Sequence, residues 1–344
     1  MTLVRLLGIE LPIIQAPMAG VQGSALAIAV SSAGGLGSLP CAMLSLDAVR
    51  NELSATSQTA RPFNVNFFCH TPPAFDAERE AIWKAALSPY YRAFGIDPES
   101  IPAGPGRAPF DAEAAELLSE FKPAVVSFHF GLPSPELLTR VKKAGSKILS
   151  SATTVDEAVW LEAHGADAII AQGVEAGGHR GMFLSDDLTT QVGTLALVPQ
   201  IVQKVRVPVI AAGGIADSKG VAAAMMLGAA GVQIGTAYLL CAEATTTALH
   251  RAALKSEASR HTAMTNVFTG RPARGIVNRV MRELGPISTA VPAFPLAASA
   301  IAPLRAHAES RGSDDFSPLW SGQNNSGCKE ISAADLTREL AADL

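Results

Sequence analysis

Eight short apolar runs recur along this chain, and helical patterns fit between them. The runs cover residues 12–16, 36–39, 63–67, 124–128, 147–151, 168–171, 207–211 and 231–234. Most are continuous rather than alternating, which marks strands buried on both faces, as in a parallel sheet covered by helices. A helix over 134–144 opens with Ser134-Pro135-Glu136, an N-cap followed by proline in the first turn, and stops at Gly145. A second over 154–163 sets Glu157 three residues after Thr154, a capping-box spacing, and stops at Gly165. A third over 217–227 starts on Asp217 and stops at Gly228. Strands alternating with helices imply right-handed βαβ units. Six or seven strands would leave an open sheet as good a solution. Eight predict an α/β fold closed into a (β/α)8 TIM barrel.

Two segments break the rhythm. Residues 69–123 are far too long for an ordinary connection after the third strand. They hold a helix over 73–87, a Pro/Gly-rich middle over 98–109 and a second helix over 111–121. This reads as an excursion over one end of the barrel. From Cys241 the pattern turns helical, over 246–255 and 256–264, then Gly/Pro-rich over 270–295. The expected division is a barrel of residues 1–240 and 304–344, with a smaller substrate or lid lobe of residues 241–303.

Composition narrows the class of protein. The 344 residues are 48% hydrophobic and 17% charged, which suits a deep-cored enzyme and not a disordered chain. A net charge of -4 with no Lys/Arg run argues against nucleic-acid binding and against a polybasic membrane patch. Residues 221–242 are nearly uncharged, but Gly228, Gly231 and Gly235 split them into a buried helix and strand rather than a membrane span. Cys41, Cys69, Cys241 and Cys328 have no paired spacing, so zinc and Cys-x-x-Cys chemistry are unsupported. Reduced thiols and no signal peptide in residues 1–15 point to a cytoplasmic protein; a monomer or homodimer is expected.

Functional groups of such barrels sit where strands end and βα loops begin. The seventh strand ends in Ala212-Gly213-Gly214-Ile215 and the eighth in Gln233-Ile234-Gly235-Thr236. Paired glycine turns at these two positions free N–H groups for a phosphate. The sixth ends in Gln172-Gly173-Val174-Glu175-Ala176-Gly177-Gly178-His179-Arg180-Gly181. There Gly177 and Gly178 let the chain pass against a flat ring and carry His179 over it. His129 ends the fourth strand and faces the same rim, Asn66 offers an amide from the third, and Ala16, Pro17 and Met18 offer a small apolar floor from the first. A histidine so placed can act as base, donor or charge stabiliser. No G-x-G-x-x-G follows a strand, and there is no Walker loop, G-x-S-x-G or H-E-x-x-H. Asp186-Asp187 reads as a solvated turn or a helix start.

These residues together resemble the nitronate monooxygenase family, formerly 2-nitropropane dioxygenase. The match runs through 12–18, 64–66, Gln172 with 175–181, 212–215 and 233–236, and resumes at 319–323. The resemblance implies a noncovalent FMN held by Asn66, Gln172, Gly177, Gly214 and residues 233–236, with Gln323 reaching the flavin from the C-terminal segment. It implies that His179 is the active-site histidine. His129 and the long insertion resemble the subgroup acting on propionate 3-nitronate, which would make a nitronate and O2 the small-molecule partners. Both histidines would stabilise the anion's charge. Residues 294–305 hold no tyrosine or lysine, and Asn324 and Asn325 stand where small residues are expected. Two other functions fit the same loops: an NAD(P)H-dependent flavin reductase of the quinone or enoyl-acyl-carrier-protein type, and a non-catalytic flavin binder.

Overall fold

A computed structural model describes residues 2–101 and 107–344. Its strands are β1 (Ile13–Gln15), β2 (Gly37–Pro40), β3 (Phe63–Phe68), β4 (Val125–His129), β5 (Lys147–Ala152), β6 (Ala168–Gln172), β7 (Gly178–His179), β8 (Val209–Ala212), β9 (Gly231–Ile234), β10 (Thr262–Thr265) and β11 (Ala273–Ile276). Eight of them, all but β7, β10 and β11, form one sheet in the order β1-β9-β8-β6-β5-β4-β3-β2, with every pairing parallel. A parallel bridge between Ile14 and Leu36 joins its two edges. There Gln15 N–H donates to Leu36 O and Leu36 N–H donates to Ile13 O, each at 2.9 Å. The expected (β/α)8 barrel is what forms.

Side-chain alternation sorts the strands into two environments. Ile13, Ile169, Val209, Ala211 and Val232 pack outward with the helices. Ile14, Leu149, Ala168, Ile170 and Ile210 point inward and meet Leu3, Leu6 and Leu7. Those leucines belong to a short helix, Leu3–Leu7, that plugs the N-terminal end of the barrel. Five residues are too few for periodicity to announce it. Further along the same strands the interior turns polar, with Asn64, Asn66, Ser127 and Gln172 all buried. Asn64 Nδ2 donates to Ser38 Oγ at 3.0 Å and to Ser127 Oγ at 2.9 Å.

The insertion after β3 departs from expectation. Its first helix is Ala77–Phe94 and runs on through Pro89, because Tyr90 and Tyr91 carry its buried face past Leu87 and Gly95 caps it at φ 68°. The part of the Pro/Gly-rich middle at 102–106 lies outside the described residues. Trp83, Tyr91, Val267, Phe268, Ala300, Leu304 and Phe316 share one core. The insertion therefore packs in one core with residues between Val267 and Phe316. The expected boundary at 303/304 falls inside a single helix, Ala298–Ser310.

The expected helix over 256–264 is also replaced. Glu257–Arg260 makes one 3-10 turn, and Thr262–Thr265 becomes β10 because β11 offers it an antiparallel partner. That ribbon recruits a third strand from the barrel itself. Ala273 pairs with His179 and Arg274 with Gly178, so the loop after β6 is strand β7 of the lobe's sheet. Within the core shared by the insertion and residues 267–316, Trp83 is fully buried and its Nε1–H donates to Ala297 O at 3.2 Å. Trp83→Ala should lower the unfolding free energy by about 3–5 kcal/mol in a denaturant titration, the cost of emptying a large aromatic site. An unchanged midpoint would show that this core does not hold the lobe.

Candidate active site

At the C-terminal end of the barrel lies a cavity of about 270 Å³. Fifteen of the residues singled out in the sequence line it: Ala16, Pro17, Met18, Asn66, His129, Gln172, Gly177, Gly178, His179, Gly213, Gly214, Gln233, Ile234, Gly235 and Thr236. Gln323 is not in the wall. Its side chain is exposed and its N–H donates to Glu175 O at 2.9 Å. Its neighbours Gly322 and Asn324 line the cavity instead. Gly322 N–H donates to Thr236 Oγ1 at 2.9 Å, and Asn324 Nδ2 to Gly214 O at 2.9 Å. The C-terminal segment is thus fastened to the loops after β6, β8 and β9.

The glycine turns have the geometry their sequence asks for. Gly213 and Gly214 adopt φ of 112° and 74°, the left-handed region that other residues resist. The N–H groups of Gly214, Gly235 and Thr236 donate to no protein group among the described residues. Gln233 Oε1 is buried without a partner. Free amides beside a polar acceptor suit an anionic, hydrogen-bonding ligand such as a phosphorylated ring system.

The loop after β6 is held from below. Gln172 Nε2 donates to His179 O at 3.0 Å, and its Oε1 accepts from Gly181 N–H at 2.7 Å. Arg180 is fully buried and donates to Gln191 Oε1 at 2.8 Å, Gly173 O at 2.8 Å and Gln172 O at 2.6 Å. Burial pushes its pKa down to about 9, so it remains a cation at neutral pH.

His129 Nε2 lies 3.1 Å from His179 O, and its Nδ1 lies 3.1 Å from Ser151 Oγ. A carbonyl only accepts, so Nε2 carries the proton and Nδ1 accepts from the Ser151 hydroxyl. Both nitrogens of His129 are therefore committed to the protein. His179 Nε2 lies 2.9 Å from Thr269 Oγ1, which also reaches Arg271 O at 3.4 Å. A hydroxyl donating to that carbonyl accepts from Nε2–H, leaving Nδ1 a lone pair with no partner among the described residues. Burial holds the pKa of His129 down at about 4, with Arg271 and Arg180 adding to it. Burial, then Arg107, His129 and Arg271, hold His179 well below the usual imidazole range. Two neutral imidazoles stand here, so the charge stabilisation expected of them is that of dipoles and hydrogen bonds, not of cations.

Other cavity residues escaped the sequence reading. Ser127 and Ser151 sit inside strands, His250 faces in from the helix Ala248–Lys255, and Arg107 comes from the insertion. Their only signal was position on inward-facing strand sites, which needs the register; Arg107 and His250 had none. Asp187 caps a 3-10 turn, Leu188–Thr190, as a helix-start reading allows. No group of His, Cys, Asp or Glu that could hold a metal occurs among the described residues. No helix among them is long and apolar enough to cross a membrane.

A parallel barrel whose last strands end in free amides, with a half-buried neutral histidine in the cavity wall, has the form of a flavin-dependent oxidoreductase. Comparison with known proteins narrows the class. The family model described as nitronate monooxygenase matches residues 1–343. A nitronate monooxygenase of Paraburkholderia phytofirmans is 44% identical over 99% of this chain and 94% of its own. One from Pseudomonas aeruginosa is 42% identical over 99% and 98%. Among solved structures, a nitroalkane oxidase from Streptomyces ansochromogenes superposes with TM-score 0.88 at 37% identity, covering 99% of this chain and 97% of its own. The chain belongs to the nitronate monooxygenase family, and it is an enzyme, an oxidoreductase.

The buried histidines make stability depend on acid. Below about pH 6.5 the unfolded chain protonates them while the folded chain does not, so the unfolded state binds more protons. For His129 and His250, both held at about 4, stability should fall as pH drops from about 6.5 to 4, by up to about 1.4 kcal/mol per pH unit for each. His129→Gln should flatten that slope by one histidine's share in denaturant titrations across this range. A slope equal to that of the parent protein would show that His129 titrates normally.

Proposed function

We propose that this enzyme binds FMN and oxidises alkyl nitronates, such as propionate 3-nitronate, with O2 to a carbonyl product and nitrite. The observation that carries this reading is the single cavity shared by His179 and the unbonded amides of Gly214, Gly235 and Thr236. Those amides suit the phosphate, and Gln233 Oε1 suits an N–H on the ring edge. Asn66 and the floor of Ala16 to Met18 supply the polar and apolar contacts of a flat heterocycle. When bound, FMN supplies the capacity to accept electrons from the substrate and pass them to O2.

The protein's part is positioning and electrostatics. His179 stands at the cavity wall with Trp320 at 5.5 Å and Phe294 at 5.4 Å between ring centroids, so water is thinned around it. Burial first, then the nearby Arg107 and Arg271 guanidinium groups, hold it neutral. A nitronate is already an anion, so no base is needed to form it, and a neutral imidazole among guanidinium groups suits its capture. His129 acts through His179 as a positioning residue, since its Nε2–H fixes the His179 carbonyl.

Purified protein loaded with FMN should release nitrite from propionate 3-nitronate in air. His179→Ala should lower kcat/KM by about 10²-fold while FMN stays bound, the scale of losing one preorganised polar group. FMN bound without nitrite release would sink the assignment. Rapid anaerobic bleaching of the flavin by NADH or NADPH would favour a flavin reductase instead.

A further inference from the structure

Arg107 is a half-buried cation in the cavity wall. It forms no ion pair among the described residues. Its chain neighbours at 102–106 read Pro-Ala-Gly-Pro-Gly and hold no carboxylate. The other guanidinium in the wall, Arg305, is paired with Glu309 at 2.7 Å. Arg271 lies 4.1 Å over the Phe130 ring, donates to Met182 O and feels Asp186 and Glu157. Removing a cation from water without a counter-ion is costly, so a site that keeps one is built for an anion.

The location says which anion. The Arg107 Cζ lies 5.5 Å from the Phe294 ring centroid, and that ring lies 5.4 Å from the His179 imidazole. One phenyl ring separates the guanidinium from the imidazole. A nitronate group beside His179 leaves Arg107 at the far end of a short substrate chain. A planar guanidinium is matched there by a carboxylate, which takes two parallel hydrogen bonds.

We infer that Arg107 is a specificity-determining residue, its guanidinium receiving a carboxylate at the end of the substrate opposite the nitronate. This rests on the nitronate reading for the reacting end, while capture of the carboxylate does not depend on turnover.

Calorimetry on the purified protein without oxygen separates the two claims, with 3-nitropropionate and 1-nitropropane as probes. Arg107→Gln should weaken 3-nitropropionate about 10- to 100-fold, the worth of a charge-assisted pair, and leave 1-nitropropane unchanged. Arg107→Lys should recover part of the loss, and thermal melts should match the parent's. In nitrite assays KM for propionate 3-nitronate should rise by the same factor with kcat kept, and KM for propyl-1-nitronate should not move. Equal weakening of both probes, or of neither, overturns the inference. So does an effect confined to NADPH-driven bleaching, which would assign the guanidinium to a nicotinamide phosphate. Selective weakening in a protein that turns over no nitronate would leave the carboxylate receptor standing and remove the nitronate reading alone.

Discussion

Everything at the top of this barrel depends on the fixing of one loop, residues 173–181, to both halves of the molecule. From the barrel side, buried Arg180 donates to the carbonyls of Gln172 and Gly173, and Gln172 bonds both flanks of that arginine through His179 O and Gly181 N–H. From the lobe side, Gly178 and His179 are a strand of the β10-β11-β7 sheet. A histidine on a glycine-rich loop would ordinarily sample many positions. Here its backbone belongs to a sheet and its neighbour's side chain is locked in the core, so the imidazole is placed before any ligand arrives. That is the preorganisation on which electrostatic catalysis relies.

The same burial decides the chemistry of the histidines. Water is displaced by Phe68, Phe130, Phe294 and Trp320 around His179 and His129. Desolvation then removes their positive charge, and the neighbouring arginines keep it removed. The outcome is a division of labour: guanidinium groups carry the positive field, and neutral imidazoles carry directed hydrogen bonds. Such a cavity favours a substrate that is anionic before it binds over one that must lose a proton there.

The two lobes are less separable than the chain order suggests. The insertion after β3 and the segment from Val267 to Phe316 share one core, and the C-terminal segment at 322–324 is bonded to Glu175, Thr236 and Gly214. Segments distant in sequence therefore complete both the cavity and its roof. This is why Arg107, in a Pro/Gly-rich stretch, reaches the neighbourhood of His179, and why Gln323, which sits in a matching motif, stays out of the cavity while Gly322 and Asn324 line it.

The sequence by itself determined the barrel, its eight strands and the glycine turns, because continuous apolar runs, capping residues and left-handed glycines act over a few neighbouring residues. It also marked His179, since a strand end followed by glycines is a local signal. It did not determine β7 and β10, whose extended form exists only because β11 pairs with them, nor the helix Leu3–Leu7, too short to show a period. The tertiary structure alone decided the protonation of the histidines, the commitment of both His129 nitrogens and the approach of Arg107. Each of these depends on which distant groups exclude water from a site, and burial is a property of the packed chain rather than of any stretch of it.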